Sequence, residues 1–436
     1  MTGARSLVAV LLVLGFCAPS WAQEAESSIR SDEVVSPQLR SLRAALSAGS
    51  HDAVDEFWTS VALRGTPLIE DIAGDTENLL VTFLWRNTES LAGVFLLSGL
   101  TNWKRTSLTR LSDTDVWYHT FRVRTDARFT YSMAELRGSI DDVEWQVDPR
   151  NPAVVDWPER ESLVELPRAR PQPWIMPRPE VPSGTLTQHR LSSTILQNER
   201  NMSVYTPPGY NGGGAAYPVV VFFDGDIYLN FIPTPTILDN LIAEELIPPT
   251  IAVFVEHPTR EARTRELGCY PPFNEFLISE LLPWMRRNYE VTQDPGRTVA
   301  AGLSRGGLAA AFLALQHPET FGNVLSQSGG FWYKPPWERG QAQLWHADND
   351  TTGYGWLMRR YVATPLQAIR FYLDVGRFEQ GLGQANRHMR DVLMAKGYSV
   401  AYQEFSGGHS SINWRGTVSD GLIALLREAE QMANRN

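Results

Sequence analysis

The chain has few cysteines and few lysines, and these shortages limit the classes of protein and the kinds of site that the sequence can form. Two cysteines among 436 residues are too few for a disulfide scaffold, and no Cys-x-x-Cys pair is present. Eight histidines are scattered along the chain without the spacing of a structural zinc site. We therefore expect neither a cofactor nor a resident metal ion.

Long apolar runs are also missing. The run Leu7–Ala18 has 12 residues, whereas a helix that spans a membrane needs about 20. Arg5 precedes this run, and small residues follow it at positions -3 and -1 of a cleavage site, Ser20 and Ala22. This pattern predicts a secretory signal, residues 1–22, cleaved after about Ala22. Lipid attachment at Cys17 and a buried N-terminal helix are the alternatives. We expect a periplasmic or secreted protein with no membrane span.

The charge balance is acidic, with 49 acidic and 39 basic residues and a net charge of -10. Sequence-independent binding of nucleic acid needs a basic face, so we exclude that function. Only three of the basic residues are lysines, which leaves 36 arginines. A guanidinium can stack on an aromatic ring while it neutralises an anion, so a local cationic pocket is compatible with the acidic total.

The length predicts two or three domains at about 150 residues each. Residues 23–157 are expected to form an N-terminal domain. Leucines at helical spacing between Ser36 and Arg64 predict two short helices, and aromatic-rich segments between turn residues then indicate a small β-sandwich. The predicted strands are 79–85, 93–97, 116–123 and 128–132.

Residues 158–185 are predicted to be a linker, because seven prolines lie in this stretch. Proline fixes φ and removes a hydrogen-bond donor, which argues against a helix or a central strand. We expect an extended, semi-rigid connector.

Residues 186–436 show alternating buried strands and helices, the pattern of a doubly wound, mostly parallel α/β sheet. The predicted strands are 219–223, 251–255, 298–301, 323–326, 369–373 and 400–405. The predicted helices include 274–287, 306–316, 384–396 and 419–434.

The motif Gly302-Leu303-Ser304-Arg305-Gly306 lies between a strand and a helix. A nucleophilic serine needs a tight turn in that position, and flanking glycines let neighbouring backbone approach. We interpret Ser304 as a nucleophile; a glycine-rich packing turn is the alternative. The tetrahedral oxyanion then needs two amide donors, predicted to be the backbone N–H of Arg305 and that of Asp226 or Gly225. A simple strand-end turn is the alternative at the second position.

A serine hydroxyl is a weak nucleophile, so an acid and a histidine are expected later in the chain. His409, in a glycine-rich loop after the last strand, is the predicted base, in preference to His388 in a helix and His346 in an insertion. Glu379 is the preferred acid, because it lies in the loop beyond strand 369–373, and Asp374 at the end of that strand is the alternative.

These motifs resemble the enterochelin (enterobactin) esterases, and the resemblance covers nearly all of the chain beyond residue 22. It rests on segments 81–86, 114–117, 148–152, 222–226, 263–269, 300–307, 325–332, 376–379 and 407–415. It implies an α/β-hydrolase fold preceded by a sandwich domain, and hydrolysis of the trilactone backbone of a ferric catecholate siderophore. It implies Ser304, Glu379 and His409 as the catalytic triad, with iron entering only as part of the substrate.

A ferric tris-catecholate is a trianion with aromatic faces, so arginines and aromatic side chains in the site loops are expected to bind it. The predicted substrate-binding residues are Arg263, Arg265, Arg377, Trp332 and Trp414. Two other functions stay open: a secreted feruloyl or acetylxylan esterase, and a siderophore-binding protein without catalysis.

Overall fold

The computed structural model describes residues 35–87, 91–139, 143–157, 159–214, 216–335 and 355–433. The chain divides into two compact units. The first comprises Met1–Val123 and Tyr131–Pro152, and the second comprises Arg124–Thr130 and Ala153–Asn436. The predicted signal, residues 1–22, lies outside the described residues. The first unit ends at Pro152 and omits the segment Arg124–Thr130, whereas the predicted N-terminal domain runs without a break to residue 157.

Two helices begin the described part of the first unit, as the leucine spacing predicted. Helix α1 spans Pro37–Ser47 and helix α2 spans Ala53–Arg64. The hydroxyl of Ser36 caps α1 by accepting a hydrogen bond from the N–H of Leu39, which satisfies a donor that has no partner within the helix. Both helices contribute to one apolar cluster, which includes Leu39 and Trp58.

Seven strands follow. They are β1 (Leu68–Ile72), β2 (Asp75–Arg86), β3 (Gly93–Ser98), β4 (Thr106–Ser107), β5 (Thr109–Arg110), β6 (Val116–Arg124) and β7 (Arg128–Leu136). Strands β1, β2, β6 and β5 form one sheet in that order, and β3 pairs with β4 and β7. The rings of Phe83 in β2 and Tyr131 in β7 lie 4.8 Å apart between centroids, so the two sheets contact each other. The four strands predicted from the sequence lie in β2, β3, β6 and β7.

The second unit contains a hairpin and a large sheet. The hairpin strands are β8 (Val154–Trp157) and β9 (Glu159–Glu165). The strands of the large sheet are β10 (Thr185–Ser193), β11 (Asn198–Thr206), β12 (Val219–Phe223), β13 (Ile251–Val255), β14 (Thr298–Leu303), β15 (Asn323–Gln327), β16 (Arg370–Gly376) and β17 (Ser399–Phe405). Their order is β10-β11-β13-β12-β14-β15-β16-β17. All pairs from β13 to β17 are parallel, and β11 is antiparallel to both its neighbours, which confirms the predicted mostly parallel sheet.

Helices cover both faces of this sheet. They are α3 (Gly225–Asn230), α4 (Thr234–Ala243), α5 (Arg260–Glu266), α6 (Pro271–Phe276), α7 (Leu282–Asn288), α8 (Arg305–Gln316), α9 (Trp356–Ala363), α10 (Gln380–Lys396) and α11 (Ser411–Ala433). Alternate residues of β12 enter two different cores: Val221 belongs to the cluster that contains residues of α6, α8 and α10, whereas Phe222 belongs to the cluster that contains residues of α4 and α11. This alternation explains the continuous apolar runs of the sequence. The predicted helix 274–287 is divided by a π-helical turn, Leu277–Leu281.

The predicted linker, residues 158–185, differs in two ways. Its first part forms strand β9, which the sequence did not predict. Strand β9 contains no proline, since six of the seven prolines lie at Pro167 or beyond. The remainder packs on the second unit, where the amide of Gln172 donates to the carbonyl of Ile412 and Arg170 pairs with Asp420. The proline-rich segment therefore packs against the rest of the second unit. Among the described residues, no helix combines the length and apolarity needed to cross a bilayer.

Candidate active site

Ser304 occupies a strained turn between β14 and α8. Its backbone has φ 55° and ψ -117°, which a residue with a side chain rarely adopts. A Cβ on Gly302 would lie 2.3 Å from the carbonyl carbon of Gly306, so this turn requires glycine at 302. The Ser304 N–H donates to the carbonyl of Gln327 at 2.8 Å, and its own carbonyl accepts from the N–H of Gly330 at 2.8 Å. These contacts hold the residue in the conformation of a nucleophile elbow.

The two predicted oxyanion donors follow neighbouring strands. Arg305 is the first residue of α8 after β14, where its N–H has no acceptor within the helix. Asp226 is the second residue of α3, in the first helical turn after β12, and β12 pairs with β14, so both amides lie at the same edge of the sheet. A Cβ on Gly225 would lie 2.6 Å from the backbone of Phe254, so that turn packs tightly on β13. Nothing in these contacts conflicts with the predicted positions.

His409 pairs with Glu379. Its Nδ1 lies 2.5 Å from Glu379 Oε2, and because an ionised carboxylate only accepts hydrogen bonds, Nδ1 donates. The side chain of Glu379 is 1% exposed, and its other oxygen accepts from the N–H of Gly376 at 2.7 Å and from the hydroxyl of Ser328 at 2.6 Å. Because Nδ1 carries a proton in this hydrogen bond, Nε2 is the acceptor nitrogen of the neutral ring.

Asp374, the alternative acid, is held differently. It is fully buried at the end of β16, and one carboxyl oxygen accepts from the N–H of Ser328 at 3.2 Å while the other has no hydrogen-bond partner. Burial raises the pKa of Asp374 to about 7, and the negative charge of Glu379 adds to this effect. The structure thus brings Glu379 to His409, and places Asp374 below the pair in the core.

Ser328 joins these groups, and sequence reasoning missed it as a site residue. Besides donating to Glu379, its hydroxyl accepts from the indole N–H of Trp414 at 3.0 Å. Ser328 has φ 48° and directly follows Gln327, which anchors Ser304. The same short segment therefore fixes both the serine turn and the acid. A serine beside two glycines at the end of a core strand was the available signal.

Trp414 differs from the prediction that it binds substrate. It is 2% exposed, and its ring packs edge-on against His409 with centroids 4.7 Å apart. A ring enclosed in this way offers no face to a ligand, so Trp414 supports the histidine instead. His388 lies exposed on α10, and His346 lies outside the described residues.

The predicted arginines divide into two groups. Arg263 makes two parallel hydrogen bonds to the carboxylate of Asp224, each of 2.7 Å, so its charge is neutralised within the protein. Arg265 and Arg377 are exposed; Arg265 lies over the ring of Tyr270, and Arg377 lies 3.5 Å from Glu404. The structure therefore corrects the interpretation of Arg263 as a free substrate cation.

Two more side chains belong to segments next to Ser304. Arg305 directly follows it, and Trp332 lies two residues after Gly330, whose N–H donates to the Ser304 carbonyl. The guanidinium of Arg305 lies 5.3 Å from the ring centroid of Tyr333, and Trp332 packs edge-on against the same ring. Burial, together with the charges of Arg263 and Arg260, lowers the pKa of Arg305. A guanidinium that is disfavoured by its surroundings in this way gains from contact with an anion.

A mostly parallel sheet, a serine in a strained strand-to-helix turn and a histidine–carboxylate pair at the same edge define an esterase of the α/β-hydrolase class. Residues 193–425 match the family described as putative esterase, and residues 80–175 match the N-terminal domain of enterochelin esterase. The chain belongs to the enterochelin (enterobactin) esterase family, which confirms the resemblance seen in the motifs.

Relatives are similar over their whole length. The chain is 31% identical to an iron(III) enterobactin esterase of Dickeya dadantii, over 88% of this chain and 95% of the relative. It is 28% identical to an iron(III) salmochelin esterase of Escherichia coli, over 88% and 96% respectively. The crystal structure of the enterobactin esterase of Shigella flexneri, in the presence of enterobactin, is similar at a TM-score of 0.69 and 26% identity, covering 86% of this chain and 98% of that one.

Proposed function

We propose that this protein hydrolyses the trilactone backbone of a ferric catecholate siderophore and thereby releases iron. The observation that carries the proposal is the hydrogen bond between Glu379 and His409, at the sheet edge where Ser304 lies. The full-length likeness to iron(III) enterobactin and salmochelin esterases supports the substrate class.

In this proposal Ser304 is the nucleophile. Nε2 of His409 takes the hydroxyl proton as Oγ attacks an ester carbonyl, and Glu379 stabilises the imidazolium that forms. The backbone N–H groups of Arg305 and Asp226 donate to the oxyanion. The ester C–O bond then breaks, and His409 gives its proton to the departing serine oxygen of the ring. Water repeats the sequence on the acyl-enzyme and frees Ser304.

Exposed cations and aromatic rings around the site would bind the trianion. Arg265, Arg377 and the guanidinium of Arg305 supply positive charge, and Trp332 supplies a ring. Arginine suits this task because its planar cation both neutralises and stacks. Iron enters only as part of the substrate, and the reaction uses no resident cofactor.

Two further parts of the proposal concern the N-terminal half. We propose that the signal over residues 1–22 directs the protein to the periplasm or outside the cell, where a tagged protein should be recovered with a mature N-terminus near Gln23. We also propose that the sheets of the first unit form a β-sandwich, which the contact between Phe83 and Tyr131 supports.

The direct experiment incubates purified protein with ferric and iron-free enterobactin and follows linear trimer, dimer and monomer by chromatography. Ring-opened products are expected with the wild type and not with Ser304→Ala. Cleavage of feruloyl or acetyl sugar esters, with no cleavage of either siderophore, would contradict the proposal in favour of a carbohydrate esterase. Tight siderophore binding without any product would indicate a binding protein.

A further inference from the structure

Five polar side chains form a row of contacts from the core to the turn after β12; four of them are buried, and the fifth, Arg263, is partly exposed. In order they are Arg200, Glu266, His257, Asp224 and Arg263, and we call them the Asp224 chain. Its members come from β11, α5, the loop after β13 and the turn after β12. None of them belongs to the proposed triad, so burying this much charge calls for another role.

The inner end of the chain is firmly held. Arg200 is fully buried and donates to both oxygens of Glu266, at 3.0 and 2.9 Å, while His257 Nδ1 lies 2.7 Å from Glu266 Oε2. Burial alone would favour the neutral acid, but the hydrogen bonds from His257 and Arg200 outweigh it and lower the pKa of Glu266 to about 2. Glu266 is therefore ionised, and its hydrogen bond holds the ring of His257 in place.

The outer end of the chain reaches the site. Nε2 of His257 lies 3.6 Å from Asp224 Oδ1, which is too far for a hydrogen bond, so the ring packs beside this carboxylate without donating to it. Arg263 donates to both oxygens of Asp224. Asp224 has φ 57°, a left-handed conformation that costs energy for a residue with a Cβ, and it immediately precedes the turn that carries the amide of Asp226. A Cβ on Gly306 would lie 3.6 Å from Asp224 Oδ2, so this carboxylate also lies against the first turn after Ser304.

We propose that Arg263 and Asp224 are positioning residues, which hold the Asp226 amide in the geometry that stabilises the oxyanion. His257, which Glu266 and Arg200 hold in place, packs behind that pair in the core. The inference rests on the proposed esterase mechanism and deepens it, because it assigns Arg263 to the reaction itself and not to recognition of the substrate's charge. An oxyanion donor must stand 2.7–3.1 Å from the developing charge, so a small movement of a strained turn reduces the rate.

The test compares a neutral ester, p-nitrophenyl butyrate, with ferric enterobactin, a trianion. Arg263→Gln and Asp224→Asn are expected to lower kcat about 10- to 100-fold on both substrates, less than the 10²- to 10³-fold loss for removing a donor outright. KM for either substrate should change less than threefold. Arg287→Gln, which removes an exposed arginine on α7, is the matched control and should leave both reactions unchanged.

Three further variants, together with an active-site titration, separate positioning from loss of folding. Arg263→Lys keeps the charge but cannot make two parallel hydrogen bonds, so it should restore only part of kcat. The double variant Asp224→Asn/Arg263→Gln should lose no more than either single variant, because all three break the same contact. Titration of the active fraction with a fluorophosphonate corrects every kcat for unfolded protein. His257→Phe should lower kcat in the same way by a smaller factor.

One result would overturn the inference. If Arg263→Gln raised KM for ferric enterobactin at least tenfold while the neutral ester was cleaved at the wild-type rate, Arg263 would be a substrate ligand. Failure of the proposed function gives a different result. A wild type that cleaves the neutral ester but not the siderophore contradicts the proposed substrate, while kcat on the neutral ester still tests the role of Arg263. A wild type that cleaves neither contradicts both.

Discussion

Two regions of the second unit are built on different principles. The first, the catalytic floor, consists of Ser304, Ser328, Glu379, His409 and Trp414. Apart from the partly exposed Ser304 and His409 the floor is buried, and hydrogen bonds and one ring contact join Ser328, Glu379, His409 and Trp414. The second, the cationic rim, consists of Arg265, Arg377 and Trp332, which are exposed or half-buried.

The contrast separates chemistry from recognition. Charges and hydrogen bonds in a water-poor site act strongly and in a fixed geometry, whereas exposed cations are screened by salt and held loosely. The floor should therefore decide whether an ester is cleaved at all, and the rim should decide how well an anionic ester competes with a neutral one.

Removal of the proposed nucleophile should have the largest effect. Ser304→Ala is expected to lower kcat about 10⁶-fold, the loss seen when one member of a cooperating triad is removed. Binding of ferric siderophore should persist, because the rim is untouched; fluorescence quenching of the protein measures it. Turnover within tenfold of the wild type would disprove the assignment of Ser304.

The two carboxylates near β16 sharpen the comparison within the floor. Glu379→Gln should lower kcat about 10³- to 10⁴-fold, because an amide cannot stabilise the imidazolium of His409. Asp374→Asn should change kcat less than tenfold, because Asp374 does not contact the histidine. Steady-state kinetics on one neutral ester measures both, and the reverse order of effects would make Asp374 the acid.

Asp374 should instead appear in the pH dependence of stability. Its pKa is raised to about 7, so the folded state holds the proton more tightly than the unfolded chain does. The stability that this proton contributes is complete below about pH 4 and is lost as the pH rises to about 7. Between pH 4 and 8 the free energy of unfolding of the wild type should fall, relative to Asp374→Asn, by up to about 4 kcal/mol. Urea unfolding at several pH values measures this difference; parallel curves would contradict it.

The hydroxyl that joins the floor should have a smaller effect. Ser328→Ala leaves Glu379 Oε1 with the Gly376 N–H alone and the Trp414 indole without its acceptor. We expect a loss of about 1–3 kcal/mol in transition-state stabilisation, or about 5- to 150-fold in kcat/KM. A fully active Ser328→Ala variant would show that the acid is fixed without this contact.

The rim should give the smallest and most salt-dependent effect. Arg265→Gln or Arg377→Gln is expected to raise KM for ferric enterobactin a few-fold at low salt and to have less effect at high salt, because exposed charges are screened within about 10 Å at 0.1 M. Kinetics on p-nitrophenyl butyrate provide the internal control, since a neutral ester does not sense the charge. A fall in kcat on both esters would assign these arginines to the floor.

The sequence predicted the strands and helices whose residues are buried without interruption, such as β12 and α8, because their apolar patterns are unambiguous. The sequence did not predict β10 and β11 at the sheet edge, since β10 is largely exposed and polar. It did not predict β9 either, because the prolines on both sides of that strand indicated a linker. Ser304 and His409 could be singled out from local motifs. The pairing of Arg263 with Asp224, and the role of Ser328, depend on contacts between distant segments, and no local pattern specifies them.

The most direct test of the central claim, that the Ser304 hydroxyl attacks a siderophore ester, is rapid acid quench followed by mass spectrometry of the protein. Opening one ester of a cyclic trilactone leaves the whole molecule attached to the enzyme, so iron-free enterobactin should add its full mass to the peptide that contains Ser304. Ser304→Ala should carry no adduct. An adduct on a different residue, or cyclic substrate consumed by the Ser304→Ala variant at the wild-type rate, would contradict the account.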